Sequence, residues 1–349
     1  MLDRMIKRSD LLALVDELAR KRRIIGPVAR KERYFYEETD RAAVLDLGFN
    51  YCVYGPRRFL FPPTETLFKF NRAGRRFESE AVVDDRPTAL VGVHPCDINA
   101  IRLLDRVFEK DHPDEHYLTR RRSTFIVGID CPRPCTEGVF CADMKTNEAT
   151  EGFDVMLYPL SGGNGSDLAC GAVFGTPAGR EWLLYSHRTI VPTAAEERAF
   201  DQYQRSKIAA FPREIRTACE ELPALLDRSY DSLLWEATAR RCYSCGSCNL
   251  SCPTCYCFNI FDDMNMTLVG GERKREWDGC QLPKFAEVAG PHNFRSKAAS
   301  RLRHRIYRKA KWVREQSGMA GCVGCARCDR ACTAKINSVE IYNQLAEEV

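Results

Sequence analysis

Apolar and polar positions change rhythm near the middle of the chain. Up to about residue 190, short apolar runs bounded by turn residues recur at Thr88 to Val93, Thr124 to Ile129, Phe153 to Leu160 and Trp182 to Ser186. Runs of that length between Gly, Pro and Asp punctuation read as strands. Between the first two, Ile98 to Phe108 takes a helical spacing, and Asp97 stands where an N-cap belongs. From Ala194 onward the period becomes helical over Glu196 to Phe211, Ile215 to Leu222 and Leu225 to Arg241, with Pro223 as a break. The shift predicts an α+β protein with two domains. An N-terminal α/β-type domain covers 1–193, and an all-helical domain of the α-helical ferredoxin kind covers 194–349.

Cysteine spacing sets the chemistry of the second domain. The 349 residues contain 18 cysteines, and eight of them form two runs of C-x2-C-x2-C-x3-C. The first run is Cys242, Cys245, Cys248, Cys252; the second is Cys322, Cys325, Cys328, Cys332. This is the spacing that holds two 4Fe-4S clusters, with the fourth cysteine of each run crossing to the other cluster. Cys242, Cys245, Cys248 and Cys332 are therefore expected on one cluster, and Cys322, Cys325, Cys328 and Cys252 on the other. A structural zinc ion uses two C-x2-C pairs and has no need of a third cysteine two residues on. Disulfide stapling suits small secreted chains, whereas this length buries a core without staples. Met1 to Arg23 lacks the apolar centre of a signal peptide, and no apolar stretch is long enough to cross a bilayer. The expected setting is a reducing cytoplasm, with the thiolates as metal ligands.

Ten cysteines lie outside the runs. Cys96 follows the Thr88 to Val93 strand at a helix start, where the dipole favours a thiolate. Cys131 and Cys135 follow the next strand, with Cys141 further on. If those strands are parallel neighbours, both loops open at the carboxyl edge of the sheet, where ligands bind. Cys96, Cys131, Cys135 and Cys141 are thus candidates for a third cluster, or else small apolar core residues. Cys255, Cys257 and Cys280 form another group, either ligands of a further cluster or a sulfur-rich shell that tunes its neighbour. Cys52, Cys170 and Cys219 stand alone and are expected in the core.

Charge is nearly balanced at +4, yet Arg295 to Arg314 carries nine basic residues and no acid. Such a stripe covers anionic clusters, steers an acidic partner or binds nucleic acid; its place between the cluster runs favours the first two. Ser161 to Gly165 is Gly-rich, but no convincing helix follows, so it reads as a turn. His94, His187 and His292 are single histidines, expected to be structural. No nucleophile constellation is present. Gly246, Ser247, Gly324 and Ala326 within the runs permit close approach of backbone to cluster.

The flanking residues carry a resemblance over nearly the whole chain. They include Pro63-Thr64-Glu65-Thr66-Leu67-Phe68, Cys96-Asp97-Ile98 with Leu104-Asp105, and Phe140-Cys141. They continue with Cys252-Pro253-Thr254-Cys255 and Cys257, Arg275 with Trp277 and Cys280, Gly290 with His292-Asn293-Phe294-Arg295, and Cys322-Val323-Gly324-Cys325. In these the chain resembles the iron-sulfur beta subunits of cytoplasmic sulfhydrogenases and the matching iron-sulfur subunits of anaerobic sulfite reductases. The resemblance implies a non-catalytic relay subunit. Its partners would be a terminal hydrogenase, sulfite reductase or heterodisulfide reductase and, on the other side, a diaphorase-type subunit that binds FAD and NAD(P)H. Where that family has Cys-Phe-Cys, this chain has Val139-Phe140-Cys141, so Cys135 is the expected replacement. Two other readings are a reductase acting on a small sulfur compound at Cys255, Cys257 and Cys280, and a nucleic-acid-binding iron-sulfur protein.

Overall fold

Two fully buried apolar strands, β6 (Thr88–Val93) and β7 (Thr124–Ile129), lie side by side and parallel at the centre of a seven-stranded sheet. Unbroken apolar runs are what a parallel strand covered on both faces requires. β2 (Arg23–Arg30) and β8 (Val155–Pro159) extend the parallel core on either side. β3 (Arg33–Thr39), β9 (Ala169–Phe174) and β1 (Arg4–Lys7) complete the sheet with antiparallel pairs, in the order β1-β9-β8-β7-β6-β2-β3. This computed structural model describes residues 1–74, 76–160, 169–185, 187–290 and 292–348. The Gly-rich stretch Ser161 to Gly165 lies outside them.

A second, four-stranded antiparallel sheet joins distant parts of the chain. β4 (Thr64–Ala73) and β5 (Arg76–Ala81) pair with a hairpin of β10 (Phe258–Met264) and β11 (Gly270–Trp277), in the order β10-β11-β4-β5. The segment 194–349 is therefore not all-helical. A buried charge network selects this pairing: Arg275 on β11 meets Glu65 on β4 and Asp114, and Glu65 also meets Arg120. All four side chains are buried or nearly so, and a buried charge is tolerated only when paired in this way.

Helices depart from expectation in five places. Trp182–Tyr185 ends a helix, Pro177–Tyr185, rather than forming a strand. Thr176 caps it by accepting the Gly179 N–H at 3.1 Å, and proline is at home in a first turn. Ile215–Leu222 is mostly turn, because Asp143 accepts the N–H groups of Glu214 and Ile215 at 2.9 and 3.2 Å. Pro223 opens the Leu222–Arg228 helix instead of breaking one. The rest of the expected Leu225 to Arg241 helix is interrupted after Ser229, whose carbonyl accepts the Trp235 indole N–H at 2.8 Å, and resumes as Leu234–Ala239. Asp97 is not an N-cap: proline sets the start of the Pro95–Glu109 helix, His94 precedes it, and Asp97 points inward.

The Ala194–Ala210 helix, closed by a Thr193/Glu196 capping box, packs on the large sheet. Phe200 meets Tyr158 edge-on at 4.9 Å, and the buried Lys207 ammonium bonds both Asp130 oxygens at 2.7 and 2.8 Å. Beyond it the short helices around the cysteine runs share their own apolar core, including Leu226, Trp235, Leu302, Ile306, Tyr307 and Tyr342. Among the described residues no helix is long and apolar enough to cross a membrane.

Candidate metal centres

The two cysteine runs fold into the same loop. In each, the residue two after the first cysteine turns its N–H onto that sulfur: Ser244 to Cys242 and Gly324 to Cys322, both at 3.4 Å. Two residues later, Gly246 (φ 74°) and Ala326 (φ 53°) take left-handed backbone and start the short helices Ser247–Leu250 and Arg327–Ala331. The shared turn aims backbone amides at the sulfurs.

Two cavities result, and each draws cysteines from both runs. One is lined by Cys242, Cys245, Cys248 and Cys332, with Cys328 at its edge. The other is lined by Cys252, Cys322, Cys325 and Cys328, with Phe140, Arg305, Lys309 and Tyr342. Burial pushes the thiols of Cys248 and Cys322 up to about 11. Such groups become ligand thiolates only when a positive centre offsets the lost hydration.

Buried cations supply a test of what the cavities fit. Arg301, Arg305 and Lys309 recur every four residues along one face of the Ala298–Tyr307 helix and its π-helical continuation Arg308–Trp312. All three are buried. Arg305 donates to the Cys248 carbonyl at 3.4 Å, and its Nε has no partner. Lys309 donates to the carbonyl and hydroxyl of Thr254 at 3.1 and 2.8 Å. Burial pulls the Arg305 pKa down, but the thiolates of Cys248, Cys328, Cys252 and Cys280 more than offset it and hold the guanidinium charged. Lys309 is held likewise by Cys252 and Cys255. Interior cations without carboxylates need another source of negative charge, and thiolate-bound iron-sulfur clusters are one. The inward face also removes these three residues from a surface that nucleic acid could contact.

The remaining cysteines fall into two groups. β6 and β7 do bring their loops to one edge, where Cys96, Cys135 and Cys141 pack with Val139, Val323, Cys325 and Ala326. Burial raises the Cys131 thiol well above its usual range, with added repulsion from Cys135 and Cys141; Cys96 is raised by burial too, with smaller contributions from Cys325 and Cys141. The 131–147 loop is pinned to the second run, Phe140 N–H to Gly324 carbonyl at 2.8 Å and Thr146 hydroxyl to Val323 carbonyl at 2.7 Å. On the opposite side Cys255 touches Cys257, and Cys280 accepts from the Asn249 amide at 3.4 Å. Cys52 and Cys170 lie in the large core and Cys219 in the smaller one. His94 is buried and stacked on Phe49 at 4.2 Å.

Residues that sequence reasoning passed over complete the surroundings. Arg327, inside the second run, clamps Asp97 through two bonds of 2.5 and 2.8 Å, both side chains buried. Arg57 donates to the carbonyls of Leu250 (3.1 Å) and Cys255 and stacks 3.6 Å over Trp277. Arg327 had a signal, lying between two cysteines of a run. Arg57 had none.

Paired cavities lined by crossed cysteine runs define the class: an iron-sulfur dicluster protein. The family description "4Fe-4S dicluster domain" matches residues 241–336. The chain is 33% identical over 327 residues to Sulfhydrogenase 2 subunit beta of Pyrococcus furiosus, covering 93% of this chain and 92% of that one. It belongs to the sulfhydrogenase beta-subunit family. It is thus an iron-sulfur electron-transfer subunit that works with other subunits.

Proposed function

We propose that this chain relays electrons, in the cytoplasm, between a diaphorase-type subunit that binds FAD and NAD(P)H and a terminal hydrogenase, sulfite reductase or heterodisulfide reductase. Cys242, Cys245, Cys248 and Cys332 hold one 4Fe-4S cluster; Cys252, Cys322, Cys325 and Cys328 hold the second; Cys96, Cys131, Cys135 and Cys141 hold a third. The observation that carries the reading is that each cavity gathers the first three cysteines of one run with the last cysteine of the other, Cys328 bordering both, as two-cluster ferredoxin spacing requires. When bound, the clusters supply reversible one-electron chemistry at iron.

The chain's own residues do the rest. Backbone amides of Ser244 and Gly324 stabilise the charged sulfurs. Arg305 places positive charge between the two sets and Lys309 beside the inner one, favouring an added electron. Tyr342, Phe140 and Val323 exclude water from the inner set, while Cys245 of the outer set is exposed. Cys325 touches both its own set and the pocket of Cys96 and Cys141, so the second and third sets are neighbours.

The test is iron and sulfide counting on the protein purified anaerobically with its native partners. The two 4Fe-4S clusters give about eight irons and the third about four more, with Cys131→Ser removing only those four. A colourless preparation, or stoichiometric zinc, overturns the reading.

A further inference from the structure

Cys245 is exposed, whereas the other cysteines of the two runs are half-buried or buried, and the surface around it is built from three parts of the chain. Residues 240–247 and 333–337 meet there, because Tyr243, Cys245, Thr333 and Ala334 line one cavity. The 282–297 loop is pinned beside them. Arg301 donates to the Arg295 carbonyl at 2.9 Å and to the Ser244 hydroxyl at 2.8 Å, and a Cβ on Gly246 would stand 2.9 Å from the Leu282 side chain. The loop closes on itself through the Asn293 amide, which donates to the Pro283 carbonyl at 2.6 Å, and the Phe294 N–H, which donates to the Ala286 carbonyl at 3.3 Å. The three segments form one face.

Two properties of that face point to a partner. Tyr243 is 73% exposed, Phe294 68% and Val288 48%; a single exposed apolar side chain means little, but aromatic residues gathered around an exposed ligand thiol are what a docking surface offers. Charge is the second property. The three segments carry Arg240, Arg241, Lys284, Arg295, Lys297 and Lys335 against one acid, Glu287, and so account for the whole of the chain's +4. Arg241 is drawn to Glu340 at 3.7 Å. Among the described residues Arg240, Lys284 and Lys335 are exposed and form no ion pair.

The chemistry of the occupant follows. A second copy of this chain would bring the same basic face to a symmetric contact and be repelled, and nucleic acid matches the charge but makes no use of an exposed ligand thiol. We infer that this face docks the acidic surface of a redox protein, which exchanges single electrons with the cluster held by Cys242, Cys245, Cys248 and Cys332. The inference rests on the relay reading above and adds where a partner meets the chain. In the reducing direction each productive encounter oxidises the carrier by one electron and reduces the cluster by one; no atom moves. Opposite charge steers such encounters, raising association rates by about 10–10³, and salt near 1 M confines the attraction to about 3 Å.

The test uses the full chain with its clusters reconstituted anaerobically and, as probe, a small acidic 2Fe-2S ferredoxin in its reduced form, mixed by stopped flow over a range of ionic strength. The bimolecular rate of cluster reduction should fall steeply as salt rises. Arg240→Glu, Lys284→Glu and Lys335→Glu combined should lower it about tenfold or more at low salt, with iron content unaltered, and the gap should close near 1 M salt. Reversing Lys21, Lys31 and Arg33, exposed residues of the N-terminal domain, changes net charge equally and should matter far less. Phe294→Ser leaves charge alone and should raise the half-saturating ferredoxin concentration at every salt. A rate indifferent to salt and to the first reversal, or equally sensitive to both reversals, overturns the docking face while leaving the loaded clusters and the relay reading intact. Protection of the three segments from hydrogen exchange by an RNA or DNA oligomer but not by the ferredoxin overturns it as well. An unmodified chain that takes up no iron removes the relay reading and this inference together.

Discussion

The two cysteine runs share a spacing and a loop geometry but differ in what surrounds them. The first run keeps Cys245 at the surface, beside the Ser247 hydroxyl at 3.3 Å. The second is sealed under the 131–147 loop, with Arg327 and Asp97 locked behind it. Solvent exposure and hydrogen bonds to sulfur set cluster potential, so on the proposed ligand assignment one pattern would yield an exposed port and an insulated interior site. Spacing carries the ligand pattern; packing from the other end of the chain sets how far each run is exposed.

The strongest break in that comparison comes at the ligands. Cys245→Ser and Cys325→Ser should each strip or convert one cluster, with loss of about four irons when stripped and a fall in electron throughput of the assembled complex. Because Cys325 also faces the Cys96 pocket, its replacement should disturb the third set, while that of Cys245 should not. Unchanged iron and unchanged turnover in both variants would sink the assignment.

Next in size is the clamp behind the second run. Arg327 and Ser247 occupy equivalent places, five residues after the first cysteine of their runs. Arg327→Met strands a buried Asp97 and should cost about 3–5 kcal/mol. Ser247→Ala removes one half-buried hydroxyl and its contact with the Cys245 sulfur and should cost about 1 kcal/mol. Thermal or denaturant unfolding of the reconstituted protein measures both; equal effects would mean that the second run is no better buttressed than the first.

Arg305 sharpens the comparison from between the runs. A unit charge about 6 Å away at an effective dielectric of about 20 is worth about 3 kcal/mol, on the order of 100 mV for one electron. Removing positive charge disfavours the added electron, so Arg305→Met should move both midpoint potentials downward. EPR-monitored redox titration reads the shift, and a potential that rises or holds for both clusters would contradict the role given to this residue.

Much of this was readable in the chain, and the remainder was hidden for physical reasons. β6 and β7 are continuous apolar runs, and the cysteine spacings are too regular to mistake. The β10–β11 hairpin escaped because most of its first strand is exposed, so it has no apolar period, and because its partner β4 lies some two hundred residues away, Arg275 opposite Glu65. The basic stripe invited a surface reading; the four-residue interval of Arg301, Arg305 and Lys309 was the signal that part of it faces inward. The short turns near Ile215 and Ser229 depend on side-chain bonds from Asp143 and to Trp235, which local propensity does not contain.

A further comparison lies at the left-handed glycine within each run, Gly246 and Gly324. A non-glycine residue there pays about 1–3 kcal/mol for the backbone conformation alone. At Gly246 (φ 74°) an added Cβ meets the Leu282 side chain at 2.9 Å, and a flexible leucine can yield. At Gly324 (φ 63°) it meets the Phe140 carbonyl carbon and oxygen, backbone that is itself bonded to Gly324. Gly324→Ala should therefore lose more stability than Gly246→Ala and loosen the 131–147 loop, raising amide exchange at Phe140 and Thr146. Equal stability losses, with exchange at those amides unchanged, would show that the loop does not seal the second run.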